Sequence, residues 1–173
     1  MFKKIKSIKG SNIPAFKAQA IVEFAIVLPI LLLVLYGILE VGRYLFIYSS
    51  ATNASRNAVR YASAVGYDDD HGLTKYNYCE GIKKIALDSV YLVPDSTINV
   101  AIDYINDAGT KINECNLWNA SQVDPDYTYT TGDRVKVTVT VPFKPILKLV
   151  PLKSRNIVSA STRTILGIID LSN

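Results

Sequence analysis

The sequence predicts an α+β protein in which a long N-terminal transmembrane helix continues into a small head with a short helix and an antiparallel sheet of about three strands. Three observations lead to this prediction. An apolar segment lies near the N-terminus, a helical pattern continues beyond it, and the C-terminal half contains alternating strand patterns. The 173 residues suffice for one modest domain with an appendage.

The apolar segment is long enough to cross a membrane. Sixteen residues from Phe24 to Leu39 carry no charge, and an extension back to Ala20 is interrupted only by Glu23. A helix of about 20 such residues spans the hydrocarbon of a bilayer. A cleaved secretory signal is the alternative, but its apolar core would be about 7–15 residues long and would end at an Ala-x-Ala-like site. The two such triplets, residues 18–20 and 62–64, lie before the core and far beyond it, so a retained span is favoured.

The positive charge of the chain is confined to its first segment. Five lysines and no acid precede residue 18, whereas the rest of the chain has 14 basic and 15 acidic groups. A nucleic-acid surface therefore has little support. The lysines predict a cytoplasmic N-terminus and an extracytoplasmic head. These lysines are Lys3, Lys4, Lys6, Lys9 and Lys17.

The helical pattern continues past the apolar segment, with neither proline nor glycine between Gly42 and Gly66. Small residues recur at the spacing of one helical face, and polar residues occupy the opposite face. One helix from about Gln19 to Val65 would be roughly 70 Å long. The small face comprises Ala51, Ala54, Ser55, Ala58, Val59 and Ala62, and the polar face comprises Asn53, Arg56, Asn57 and Arg60.

Glu23 is the candidate functional residue of the apolar segment. An ionised carboxylate inside a span costs roughly 2.5–3.5 kcal/mol on insertion scales and marks function by default. The alternative is an interfacial position near the cytoplasmic edge, where water reaches the carboxylate. Pro29 is interpreted as a tolerated kink.

Three stretches of this sequence resemble the N-terminal region of the TadE-like pseudopilins, which belong to the tight-adherence (Tad/Flp) branch of the type IV pilus and type II secretion systems. They are AQAIVEFAIVLP over residues 18–29, GILEVGRY over residues 37–44 and SRNAVRYA over residues 55–62. The glutamate-phenylalanine pair, the proline and the glycine-glutamate pair occur together in register. The close resemblance covers roughly residues 18–65.

The resemblance implies cleavage by a prepilin peptidase, a membrane aspartic peptidase that cuts before an apolar run whose fifth residue is glutamate. Here the cut falls between Ala18 and Gln19, where the family usually has glycine in place of Ala18. Glu23 would then pair with the new terminal amine of a neighbouring subunit, so that its charge is compensated on assembly. Phe24 and Pro29 belong to the same assembly segment.

The head offers few groups for chemistry. A single His and two Cys make a His-based catalytic site or a multi-ligand zinc site improbable. Asp68, Asp69, Asp70 and His71 are adjacent and point apart, so a solvated loop is favoured over a metal cluster. The sequence contains no Gly-rich phosphate loop and no nucleophile with a base. Neither enzymatic activity, cofactor nor metal is predicted.

The remaining elements follow from periodicity. Residues 80–92 predict a short helix, and residues 97–105, 133–143 and 155–166 predict strands, of which the second has one wet face. The proline-rich apolar segment 142–153 is either a crossover loop packed on the sheet or a surface that touches a neighbour or the membrane. On the outer side of a membrane, Cys79 and Cys115 are expected to form a disulfide, with two unpaired thiols as the alternative.

These inferences divide the chain into a leader (1–18), a transmembrane half-helix (19–42), an extracytoplasmic half-helix (43–66) and a head (67–173). The resemblance implies a structural subunit of a Tad-type pilus or secretion system, located in the inner membrane and extracellular once in a pilus. Its implied partners are the prepilin peptidase, other pilin subunits, an inner-membrane assembly platform and membrane lipid. The alternative is an unprocessed, membrane-anchored extracytoplasmic binding domain, which the alanine at position 18 favours.

Overall fold

A computed structural model describes residues 15–67, 72–115, 132–146 and 154–165. The chain divides into two compact units, Met1–Val41 and Gly42–Asn173. The predicted fold class is confirmed: a long apolar helix, a short helix and an antiparallel sheet, which has four strands rather than about three.

The long helix, α1, covers Ala15–Ala62, so it begins before the predicted Gln19 and ends before the predicted Val65. Its last turn tightens, because the Ala64 amide donates to the Tyr61 carbonyl at 3.1 Å. Gly66 follows with a φ of +115°, a backbone conformation that side chains with a Cβ rarely adopt. Pro29 lies inside the helix, as the sequence predicts.

The face of small residues on α1 is confirmed as the side that enters the core of the second unit. Every member of the predicted face is buried, and every member of the predicted polar face is exposed. Ile47 extends the buried face by one turn towards the apolar segment. Small side chains let the backbone of a helix approach a sheet closely, so this face sets how α1 packs on the strands.

The short helix, α2, is Cys79–Asp88, and the prediction that it reaches Leu92 is wrong. The Ser89 hydroxyl donates to the Ile85 carbonyl at 2.8 Å, and the Val90 amide donates to the Leu87 carbonyl at 3.0 Å. These bonds satisfy carbonyls at the helix end. Leu92 has a φ of +67°, which turns the chain away from the helical path.

The sheet has the strand order β2-β1-β3-β4, and all neighbouring strands are antiparallel. The strands are β1 (Asn99–Ile105), β2 (Lys111–Glu114), β3 (Arg134–Phe143) and β4 (Arg155–Thr164). Strand β1 starts two residues after the predicted start at residue 97, because a 3-10 helix occupies Asp95–Thr97. Strand β2 was not predicted.

One face of the sheet forms the core with α1 and α2. The alternation predicted for β3 is confirmed, since all its inward side chains are buried while Lys136, Thr138 and Thr140 on the other face are partly exposed. The buried residues of the strands are Ile102, Tyr104, Val135, Val137, Val139, Val141, Phe143 and Ile157.

The outer face carries an ion-pair cluster on its β2 side. The Lys111 ammonium lies 2.8 Å from Asp103 Oδ1 and 2.5 Å from Glu114 Oε2. The hydrogen bond to Asp103, followed by that to Glu114, raises the pKa of Lys111 above its ordinary value. Because water reaches these groups, the cluster adds little to stability and marks a solvated face.

The predicted disulfide between Cys79 and Cys115 is confirmed. The Cα atoms of the two cysteines are 5.9 Å apart, and the bond joins the start of α2 to the residue after β2. Beside it, the buried Tyr104 donates its hydroxyl to the Tyr76 carbonyl and lies 3.6 Å from the sulfur of Cys115. The bond therefore ties α2 to the edge of the sheet over a filled core.

A hydroxyl cluster fixes α1 on the edge strand β4. Ser55 is fully buried, and its Oγ lies 2.9 Å from Ser161 Oγ and 3.1 Å from Ser159 Oγ. It also donates to the Thr52 carbonyl at 3.0 Å. The cluster replaces apolar packing with directional bonds where helix and strand meet.

Replacing Ser55 by alanine is expected to lower the free energy of unfolding of the head by about 1–3 kcal/mol, because the half-buried hydroxyls of Ser159 and Ser161 on β4 lose a partner. Thermal unfolding of the full chain in detergent micelles, followed by the near-ultraviolet circular dichroism of its tyrosines, measures the change. Asn53→Ala, on the exposed face two residues earlier, is the matched control and should leave the midpoint unchanged. Equal midpoints for both variants would contradict the role of the cluster.

Several predictions fall outside the described residues. They concern the charged loop of Asp68, Asp69, Asp70 and His71, most of the apolar segment 142–153, and the N-terminal leader up to residue 14. Within that apolar segment the structure describes residues 142–146, where Ile146 is exposed.

Candidate processing and assembly segment

The predicted processing and assembly residues lie on the first half of α1. Gln19, Glu23, Phe24 and Pro29 are all exposed. Ala18 lies inside the helix, and its side chain is outside the described set. Gln19 and Glu23 are four residues apart, so they lie on the same helical face at a separation of about 6 Å along the axis.

The surface around these residues is almost entirely apolar. The large hydrophobic side chains from Ile21 to Leu39 are exposed by 37–73%, apart from Tyr36, which is half-buried. The helix from Gln19 to Ala62 contains an 18-residue window of mean hydropathy 2.6, of which no part is buried. Soluble monomers rarely expose apolar patches of this size. The helix is long and apolar enough to serve as a single-pass membrane anchor.

This geometry confers a specific property on Glu23. In the uncut chain, eight residues of α1 precede Glu23. A cut after Ala18 would make Gln19 the first residue of the helix and would place Glu23 in its second turn. The positive charge of a terminal amine one turn away would favour a carboxylate there.

The described part of the head offers no metal centre, since no group of three or more His, Cys, Asp or Glu side chains converges there. It does contain an open groove of about 300 Å³ between α1 and the turn after α2. The groove has two aromatic walls, Phe46 and Tyr91, and an uncharged polar lining of Ser49, Ser50, Asn53, Asn57 and Ser89.

Sequence reasoning missed the role of Arg43. Its guanidinium lies 4.5 Å from the centre of the Phe143 ring and donates a hydrogen bond to the Lys144 carbonyl. The neighbouring Tyr44 makes an edge-to-face contact with Phe143 at 5.2 Å. These contacts fasten residues 43 and 44 of α1 to the end of β3. An arginine directly after a long apolar run was the available signal, but its partner lies 100 residues further along the chain.

A comparison with known protein families finds a match for most of α1. Residues 18–60 match the family model described as TadE-like protein. The match covers the predicted cleavage position, the apolar half of α1 and most of the small-residue face. No characterised protein and no solved structure matches the chain.

Proposed function

We propose that the chain, whose residues 18–60 match the TadE-like family model, is a prepilin-like minor pilin or pseudopilin that takes part in the assembly of a Tad-type pilus or secretion system. The observation that carries the proposal is the coincidence of the family match with a helix whose first half is exposed and apolar and bears one carboxylate, Glu23. Such a surface has to be covered by lipid or by other helices. In a subunit that is stored in the membrane and then transferred to a fibre, lipid covers this surface first and neighbouring helices cover it afterwards.

In the proposed sequence of events, the lysine-rich leader holds the N-terminus in the cytoplasm while the head lies outside. A prepilin peptidase removes residues 1–18, and the assembly platform then brings subunits together. The amine of Gln19 on one subunit compensates the Glu23 carboxylate of the next, so the charge is buried only when it is paired. The chain's own role is structural rather than enzymatic, and adherence would follow from the fibre.

The proposal predicts that the protein recovered from native membranes begins at Gln19. N-terminal sequencing and intact mass measure this directly, and cells without the prepilin peptidase supply the full-length control. Ala18→Gly should be cut at the same bond. Ala18→Lys should accumulate uncut, because a long cationic side chain replaces the small one next to the scissile bond.

A start at Met1 in cells with an active prepilin peptidase would overturn the pilin mechanism. The protein would then be the alternative, an unprocessed single-pass anchor with an extracytoplasmic binding domain. The groove between Phe46 and Tyr91 would be the first place to look for its ligand.

A further inference from the structure

Among the described residues of the second unit, most of the large exposed apolar side chains lie on three short stretches of the chain. Three elements contribute to this surface, which is here named the apolar rim: α1, the turn after α2, and the exit from β3. Tyr91 is 59% exposed and Ile146 68% exposed. The apolar rim consists of Leu45, Phe46, Tyr48, Tyr91, Leu92 and Ile146.

Two sets of contacts bring the three elements together. Phe46 of α1 and Tyr91 of the turn after α2 both line the same groove. At the exit of β3, the Lys144 carbonyl accepts the hydrogen bond from Arg43, and Ile146 follows two residues later. The apolar rim is therefore a property of the folded head, since residues from distant parts of the chain converge on one turn and a half of α1.

The position of the apolar rim along α1 corresponds to the edge of a membrane. Twenty residues of helix cover about 30 Å of hydrocarbon, so a span that begins between Ala20 and Phe24 ends between Leu39 and Arg43. Residues 44–48 come directly after it, at the depth of the lipid headgroups. Tyrosines and other amphipathic side chains are enriched at this depth.

We propose that the apolar rim is the surface through which the head rests on the headgroup layer of the membrane that anchors it. The occupant is lipid, because the residues of α1 from Tyr44 to Tyr48 follow closely in sequence on the apolar run that ends at Leu39, and none of them is charged. Lys144, exposed at the same end, can extend its ammonium to lipid phosphate while its stem lies along the apolar surface. The proposal rests on the single-pass anchor and not on cleavage or polymerisation.

Seating on lipid would hold the head in one orientation before assembly. A head that is held by its helix and also by the apolar rim has less rotational freedom than one held by its helix alone. Release of the apolar rim would then accompany extraction of the subunit from the membrane, when the same side chains lose their lipid contact.

The test uses the full chain in lipid nanodiscs that hold one copy each. Trp118, the single tryptophan, is changed to tyrosine, and Tyr91→Trp introduces a reporter on the turn after α2. Tyr67→Trp is the matched control, because Tyr67 is 57% exposed but follows the far end of α1. A reporter on the turn is needed because residues of α1 approach the membrane in any case. A nitroxide on the lipid headgroups quenches nearby tryptophans.

The Tyr91→Trp reporter should lose most of its fluorescence on addition of the nitroxide lipid, and the Tyr67→Trp control should keep it. Ile146→Trp provides a second reporter on a different element and should behave like Tyr91→Trp. Equal, weak quenching of all three positions would overturn the proposal. Loss of the Tyr91→Trp fluorescence only in discs that hold several copies would also overturn the proposal, because the apolar rim would then be a contact surface between copies. The N-terminal sequence of the same preparation reports cleavage independently.

Discussion

Replacing Glu23 by alanine is expected to give a chain that is processed and anchored normally but is lost from assembled fibres. The carboxylate of Glu23 is exposed in the single chain. In the proposed bundle of α1 helices it would be surrounded by apolar side chains, where its charge is tolerated only beside a neighbour's amine. Without Glu23 that amine is left buried and unpaired. Removing one partner of a buried pair costs about 3–5 kcal/mol, which corresponds to a hundredfold or greater loss of incorporation.

Incorporation is measured as the ratio of the subunit in sheared fibres to that in membranes, by quantitative immunoblotting. Glu23→Gln tests charge with size held constant and should fail like Glu23→Ala. Glu80→Ala removes an exposed carboxylate from the first turn of α2 and should assemble normally. Each variant must begin at Gln19, so that a defect in cleavage is not mistaken for one in assembly. Normal incorporation of Glu23→Gln would refute the ion-pair mechanism.

The sequence predicts elements well where a periodic pattern runs for many residues. The small face of α1 repeats over about three turns, and the alternation of β3 extends over ten residues. Patterns of this length tolerate a local irregularity. The disulfide was also predictable, because the compartment expected from the lysines favours oxidation of the two cysteines.

The errors lie where tertiary packing overrides local pattern. Val90 is buried and continues the apolar spacing of α2, yet it enters the core from a turn after the helix has ended at Asp88. Strand β2 has four residues, too few for an alternation, and its pairing with β1 contains an irregularity at Tyr104 and Ile105. The turn between the two strands, closed by the Asn106 side chain and by Gly109 with a φ of +83°, was the missed signal.

The candidate site divides in the same way. The assembly residues of α1 could be placed from the sequence because they are close together along one helix. Arg43 with Phe143, and Phe46 with Tyr91, are pairs that only the folded head creates. No periodicity encodes contacts between elements that are 45 to 100 residues apart.

Removing the disulfide by replacing Cys79 and Cys115 together with alanine is expected to destabilise the head strongly. The bond closes a loop with a sequence separation of 36 residues, and releasing such a loop costs about 4 kcal/mol in the chain-entropy treatment. This is a large share of the about 5–15 kcal/mol that stabilises a typical domain. Thermal unfolding of the full chain in micelles measures the loss.

Reduced wild-type protein is the matched control, because it lacks the bond but keeps both sulfurs. The drop in midpoint that reduced wild type and the double variant share, relative to the oxidised protein, measures the effect of the cross-link. Any further drop in the double variant measures the packing lost at the buried Cys79. The double variant should not respond to reductant. An unchanged midpoint on reduction of the wild type would show that the bond does not stabilise the head.

The same bond reports which side of the membrane the head occupies. An extracytoplasmic head should be recovered from rapidly alkylated cells with both cysteines resistant to the reagent, because the oxidising compartment keeps them paired. A cytoplasmic head would meet reduced thiol pools and would be labelled at both positions. Labelling of the wild type would therefore contradict the orientation that the lysine-rich leader predicts, and with it any assembly of the head outside the cell.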